Sequence, residues 1–420
     1  MKKLLVLQVI LILLVSCTSI THKPVLKEAD PASARVSAER LKRIDNVIQQ
    51  AIDSGWIAGA VGFIARDGKI VYNKALGYSD IESKTRLKTD DIFRIASQTK
   101  AITSVAVMTL FEEGKFLLDD PVSKYIPEFA NARVLDKFVE KDTTYTTKPA
   151  VREITIRDLL THRAGIGYSG IGTVIMNAIY AKAGVFAGFG GNRILADDIK
   201  ILAKLPLFHN PGEKFTYGLN VDVLGYLIEV LSGESLDDYF HKHIFEPLGM
   251  NDTYFYLPAD KAGRLVKVTT ENSTKHLVNF NSEFVTYPLT KGTFYSGGAG
   301  LSSTIGDYAI FLQMMLNNGE YNGKRILARR IVELMTTNQI DDLNLGSDKF
   351  GLGFQVTTKA GQAKLGISEG SFSWGGYFDT TYWADPAERL VCLIFMQQES
   401  LNDRDVPNKF RALVYQSLND

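Results

Sequence analysis

The chain has 420 residues, 45% hydrophobic and 22% charged, with 47 basic and 47 acidic side chains and a formal net charge of zero. That balance removes the electrostatic pull toward phosphate backbones, and no Lys/Arg cluster interleaves with aromatics, so nucleic acid is not an expected partner. The length exceeds a single-core domain of roughly 100–200 residues and calls for one enzyme-sized unit or two lobes.

In chain order, Lys2 and Lys3 precede an apolar run at 4–15, LLVLQVILILLV. It is shorter than the roughly 20 residues that span a bilayer, and it has the form of a secretory signal. It runs into Leu14-Val15-Ser16-Cys17, which resembles the lipobox of bacterial lipoproteins. The resemblance implies a signal peptide over 1–17, cleaved before Cys17, with Cys17 lipidated and the body held at the bacterial cell envelope by that anchor alone. The alternative is an ordinary secretory signal with a coincidental Cys. Thr18 is not Asp, so no inner-membrane retention signal of the Asp type follows. Residues 18–36 hold two prolines and no periodicity, and read as a flexible tether. With Cys17 lipidated, Cys392 has no disulfide partner. It lies in RLVCLIF, an apolar run of strand character, where a buried inert thiol is expected.

The domain is expected over 37–420. Residues 37–53 open with Ser37 and place Leu41, Ile44, Val47, Ile48 and Ile52 at helical spacing. Two apolar runs, 58–65 and 69–76, flank Asp67-Gly68 and predict a hairpin. From about 98 to 300 the pattern is mainly helical. Helices are predicted up to Gly114, after Asp119-Asp120-Pro121, in ITIRDLL, and on both sides of Gly233. Residues 168–193, rich in Gly and Ala, read as a loop or lid. Strands return in GLGFQVTT, AKLGIS, YFDTTYWA and RLVCLIFMQ, and 404–417 predicts a closing helix. No βαβ alternation occurs. The fold class is therefore α/β of the α+β kind: an antiparallel sheet flanked by terminal helices, with an inserted helical lobe.

Three patterns suggest chemistry and do not carry it. Gly366-Ile367-Ser368-Glu369-Gly370 fits a nucleophile elbow, but loop follows it and all six histidines lie upstream, so a triad in elbow order cannot form. His241 and His243 are two apart, not the four that put two ligands on one helix face, and no metal is expected. Gly188, Gly190 and Gly191 are followed by no Gly-Lys-Ser/Thr, so loop flexibility is the simpler reading. No cofactor is implied.

Ser97 and Lys100, in FRIASQTKAIT, form the chain's one Ser-x-x-Lys. Three apart on a helix, they share a face, so an amine lies beside the hydroxyl that needs activating. The helix N-terminus and burial both disfavour the ammonium. Either neutral Lys100 takes the serine proton, or cationic Lys100 promotes another base. PGEKFTYGLN offers Tyr217 for that second role.

FRIASQTKAIT, ITIRDLLTHRAGI, PGEKFTYGLNVDVLGYLIEVLSG, IFEPLGMNDTYF and GGAGLSSTIGDYAIFLQMMLNNG run in order from about 40 to 415. Together they resemble the serine β-lactamase-related hydrolases: class C β-lactamases, family VIII carboxylesterases and D-amino-acid peptidases. The resemblance implies Ser97 as acylated nucleophile, Lys100 as its activator and Tyr217 as general base, then acid. Two features depart from the class C pattern. Asn220 falls one place late for Tyr-x-Asn, and no Lys-Thr-Gly triplet occurs. The matching stretch is Trp374-Gly375-Gly376, as in many family VIII esterases, and the family's oxyanion-hole strand maps its N–H to Tyr377, with the Ser97 N–H as second donor. An indole has one N–H and no charge, so it cannot replace a lysine that pairs with a substrate carboxylate. The expected substrate is a small-molecule ester; β-lactams and D-amino-acid amides are the neighbouring reading, and a non-catalytic envelope scaffold the third.

Overall fold

The computed structural model describes residues 23–185, 189–399 and 405–419. Its centre is a nine-stranded sheet. From one edge the strands run Lys27–Glu28, Lys69–Asp80, Gly59–Arg66, Leu390–Phe395, Thr380–Asp385, Phe372–Gly376, Gln355–Val356 and Lys349–Phe350, with Thr85–Arg86 attached to Lys69–Asp80. Every pairing is antiparallel except the first, where Lys27 and Glu28 run parallel to Lys69 and Ile70. Asp67 and Gly68 both adopt positive φ, 54° and 74°, which a two-residue hairpin turn of the mirror-image type requires.

The central strands are covered on both faces, which is why their sequences read as continuous apolar runs. Ile64, Cys392, Ile394 and Trp383 pack against the terminal helices Ala38–Asp53 and Val406–Gln416 through Ile44, Ile48, Phe410 and Val414. Phe63, Val391, Leu393 and Phe395 face the helical lobe. Burial pushes the Cys392 thiol well up, consistent with an inert core cysteine. On the lobe side the helix Ile305–Leu316 packs directly on the strands Leu390–Phe395, Gly59–Arg66 and Thr380–Asp385, and the helix Thr99–Glu112 packs on Asn220–Ser232.

Four expectations need correction. The helix predicted after Pro121 is two single 3-10 turns, Val122–Lys124 and Pro127–Phe129, because Pro127 supplies no N–H to continue it. Residues 133–149 form a hairpin, Arg133–Val139 with Thr144–Pro149, inside the mainly helical lobe. The loop 168–193 contains a helix, Val174–Ala183, capped by Thr173 and ended by Gly184 at φ 73°. The stretch AKLGIS is not a strand. Lys359–Leu365 is helical, with the Thr358 hydroxyl accepting two N–H bonds at its start and Gly366 in the left-handed region at its end. Gly366 is thus a helix stop rather than an elbow glycine.

The expected tether is partly folded. Cys17 lies outside the described residues, but 23–36 runs along the sheet edge. Lys27 N–H donates to Gly68 O at 2.9 Å and Ala29 N–H to Ile70 O at 3.0 Å. Asn317 Nδ2 donates to Pro24 O at 2.8 Å, and Arg66 Nη1 to Ala34 O at 3.3 Å. Pairing through backbone groups leaves no side-chain period to read. A protein starting at residue 37 should be about 1–3 kcal/mol less stable to urea than one starting at residue 23; equal midpoints would mean the segment contributes nothing.

Candidate active site

Ser97 follows a two-residue strand that pairs with Ser302–Ser303, outside the central sheet. The short strand Phe93–Arg94 leads through Ile95 into a 3-10 turn, Ala96–Gln98, and then the helix Thr99–Glu112. Ala96 has φ 42°, a left-handed conformation that costs a residue with a Cβ about 1–2 kcal/mol. It is held by burial among Val268, Val285 and Phe378. This strained turn presents Ser97 at the helix start.

Lys100 follows on the same face and is 2% exposed. Its Nζ donates to Ser97 Oγ at 3.1 Å, Tyr168 OH at 2.7 Å and Gly298 O at 2.7 Å. Three donated bonds are the complement of an ammonium. The rings of Tyr217 and Tyr168 flank it, their centroids 4.7 and 5.2 Å from Nζ. Tyr217 OH lies 2.7 Å from Ser97 Oγ and donates to it. Ser97, Lys100 and Tyr217 thus form one contact set.

Tyr217 is fixed by its neighbours in sequence. A Cβ on Gly218 would fall 2.1 Å from Ile166 O, so only glycine lets the chain pass there. Asn220 does not reach Ser97. Its Nδ2 donates to His162 Nδ1 at 3.0 Å and to Ile166 O at 3.2 Å, pinning the 162–166 turn beneath Tyr217. The His162 ring lies 4.9 Å from that of Tyr217, and burial, then the Lys100 charge, hold its pKa well below the usual imidazole value. The displaced asparagine has become a supporting group.

The strand Phe372–Gly376 closes the site. On the side away from Thr380–Asp385 only its Phe372 and Ser373 are paired, with Val356 and Gln355, so the backbone edge from Trp374 to Gly376 is left open. Trp374 packs its ring 5.4 Å from Tyr217 and 5.4 Å from Phe350. Ser97, Tyr217, Trp374, Gly375, Gly376 and Tyr377 all line one cavity of about 510 Å³, with Lys100 behind Ser97. Ile171, Asp348 and Arg411 also line it.

Two groups escaped the sequence reading, Tyr168 and the Gly298 carbonyl. Tyr168 lies in the featureless AGIGYSG, and burial pushes its hydroxyl well above the usual phenol range. A carbonyl leaves no trace in a sequence. Elsewhere, His243 Nε2 bonds Glu234 at 3.1 Å and His241 pairs with Asp237 at 3.6 Å, so the two do not converge. Among the described residues no cluster of three or more His, Cys, Asp or Glu could hold a metal.

The strand also passes close to the turn before Ser97: a Cβ on Gly376 would meet Ile95 O at 2.4 Å. Gly376→Ala should therefore push the strand away from Ser97 and lower kcat/KM about 100-fold with the fold intact by circular dichroism. Unchanged kcat/KM would show that the strand need not lie this near.

Known proteins match along almost the whole chain. The beta-lactamase family model covers residues 44–416. Esterase EstB of Burkholderia gladioli is 28% identical, over 87% of this chain and 92% of its own length. A protein of Escherichia coli K12, named as a candidate D-alanyl-D-alanine carboxypeptidase, is 30% identical over 83% of this chain and 80% of its own. The solved structure of EstCE1, described as a hydrolase with promiscuous acyltransferase activity, superposes with a TM-score of 0.75 at 27% identity, over 90% of this chain and 98% of that one. With Ser97 held between an amine and a phenol inside that framework, this chain belongs to the beta-lactamase family of serine hydrolases.

Proposed function

We propose that this protein hydrolyses small carboxylic esters through an acyl-enzyme on Ser97. The observation that carries the ester reading is Trp374, a neutral aromatic wall beside Tyr217 where a cation would be needed to pair a substrate carboxylate. With all three Lys100 protons committed to acceptors, Tyr217 is the group that takes the Ser97 proton. Its own hydroxyl proton, donated to Ser97 at rest, first passes to solvent and leaves an anion beside the ammonium. Ser97 Oγ bonds to the ester carbonyl carbon as its proton passes to Tyr217. The N–H groups of Ser97 and Tyr377 receive the oxyanion. Tyr217 then gives the proton to the departing alkoxide, and the carbonyl re-forms as the acyl-serine. Water repeats the sequence, losing its proton to Tyr217, and Ser97 leaves with that proton restored.

A second reading has its own support. Arg411 lies on the same cavity, with its Nε buried and without a hydrogen-bond partner. A carboxylate paired with Arg411 would suit a β-lactam or a D-amino-acid peptide, and one relative's name points the same way. Rates on a p-nitrophenyl butyrate, nitrocefin and a D-Ala-D-Ala peptide separate the readings. Wild type should prefer the ester, and Ser97→Ala should lose it about a thousand-fold or more. Equal rates in wild type and Ser97→Ala would remove the nucleophile assignment. A preference for either of the other substrates, abolished by Arg411→Ala, would replace the ester reading.

The envelope location rests on the lipobox-like Leu14-Val15-Ser16-Cys17. Cys17→Ala should move the protein from the membrane fraction to the soluble one; retention in the membrane fraction would argue against the lipid anchor.

A further inference from the structure

Asp222 takes no part in the steps above, yet it is a buried carboxylate close to them. It lies in the first turn of the helix Asn220–Ser232. Its Oδ1 accepts the Ser296 hydroxyl at 2.6 Å and the Gly298 N–H at 3.1 Å. Ser296 Oγ, with its proton committed to Asp222, accepts the Ala299 N–H at 3.1 Å. That N–H and the Gly298 carbonyl belong to one peptide unit, and the carbonyl accepts Lys100 Nζ at 2.7 Å. The result is one directional chain. Lys100 donates to the 298 carbonyl, the same peptide's N–H donates to Ser296, and Ser296 donates to Asp222. Bonds aligned in this way polarise one another.

We propose that Asp222 is the counter-charge of Lys100, a positioning residue that acts through Ser296 and the 298–299 peptide to hold the amine as an ammonium against Ser97. The proposal rests on the roles given above to Ser97 and Lys100. Among the described residues no carboxylate forms an ion pair with Lys100. A carboxylate in direct contact would draw a proton of the amine away from Ser97 or Tyr168. Placed behind a peptide, the charge is felt and the three bonds stay where they are. Fit is tight: a Cβ on Gly298 would lie 2.3 Å from Asp222 Oδ2.

The other ionisable groups facing this pair leave the assignment intact. Asp198, on the helix Leu195–Leu202, senses Asp222 but is paired with Arg193 at 2.6 Å. Tyr168 and Tyr217 are the phenols already described, and His162 is held neutral by burial. Burial raises the Asp222 pKa, while Ser296, the Lys100 charge and the Gly298 N–H oppose that rise.

The test is the pH dependence of Ser97 labelling by a fluorophosphonate, a probe that needs no natural substrate. Removing a negative charge makes proton loss easier for any group near it, so the sign does not depend on which group limits the rate. In Asp222→Asn the midpoint should move down by about one pH unit. Ser296→Ala keeps the carboxylate and breaks the chain, and should move it in the same direction by less. A role confined to packing would lower the rate equally at every pH. An unmoved midpoint in either folded variant overturns the proposal, and should Asp222→Asn fail to fold, Ser296→Ala decides alone. Failure of the wild type to label is a different result and removes the Ser97 assignment itself.

Discussion

A buried primary ammonium must find three acceptors or give up its charge, and much of this site is arranged to supply them to Lys100. The acceptors come from three separate stretches: Ser97 on the preceding turn, Tyr168 in a loop of the lobe, and the Gly298 carbonyl ahead of the helix Ile305–Leu316. The helix that carries Lys100 also secures the last of these. Thr103 Oγ1 donates to Gly297 O at 2.6 Å, and Thr99 Oγ1 accepts the Leu301 N–H at 3.1 Å. One helix and the turn before it thereby fix the nucleophile, the amine and an acceptor of that amine.

The second constraint is the approach of the strand Phe372–Gly376. It must lie near enough to Ser97 for its N–H groups to face a substrate, and Gly376 permits that by omitting the Cβ that would strike Ile95. The same strand brings Trp374 against Tyr217 and Phe350, so the wall nearest the nucleophile is aromatic and uncharged. Among the described residues that line the cavity, Arg411 and Asp348 carry the charged side chains.

Local signals were legible where a short-range rule sufficed. Asp67-Gly68 predicted its hairpin because both residues tolerate positive φ. Ser37 and the apolar stripe after it predicted the first helix. The rules failed where long-range contact decided the backbone. AKLGIS failed for a local reason instead: Thr358 and Gly366 cap the stretch between them as a helix, and a reading by composition passes over those caps. Residues 23–36 have no side-chain period, yet they pair along the sheet edge through backbone groups. Asn220 looked like a displaced catalytic asparagine, and only its bonds to His162 and Ile166 reveal a supporting role.

By itself the sequence determined the spacing of Ser97 and Lys100, because three residues on a helix share a face whatever surrounds them. Through the order of its longer motifs it also determined the family, and through its apolar runs the central strands of the sheet. Tertiary structure alone decided which groups complete the site. Tyr217 is 120 positions from Ser97, and Gly298 is 198 positions from Lys100. One of the contacts is made by a backbone carbonyl, which every residue possesses and no sequence pattern can mark. The charge state of a buried lysine depends on such partners, so its chemistry belongs to the fold rather than to the motif.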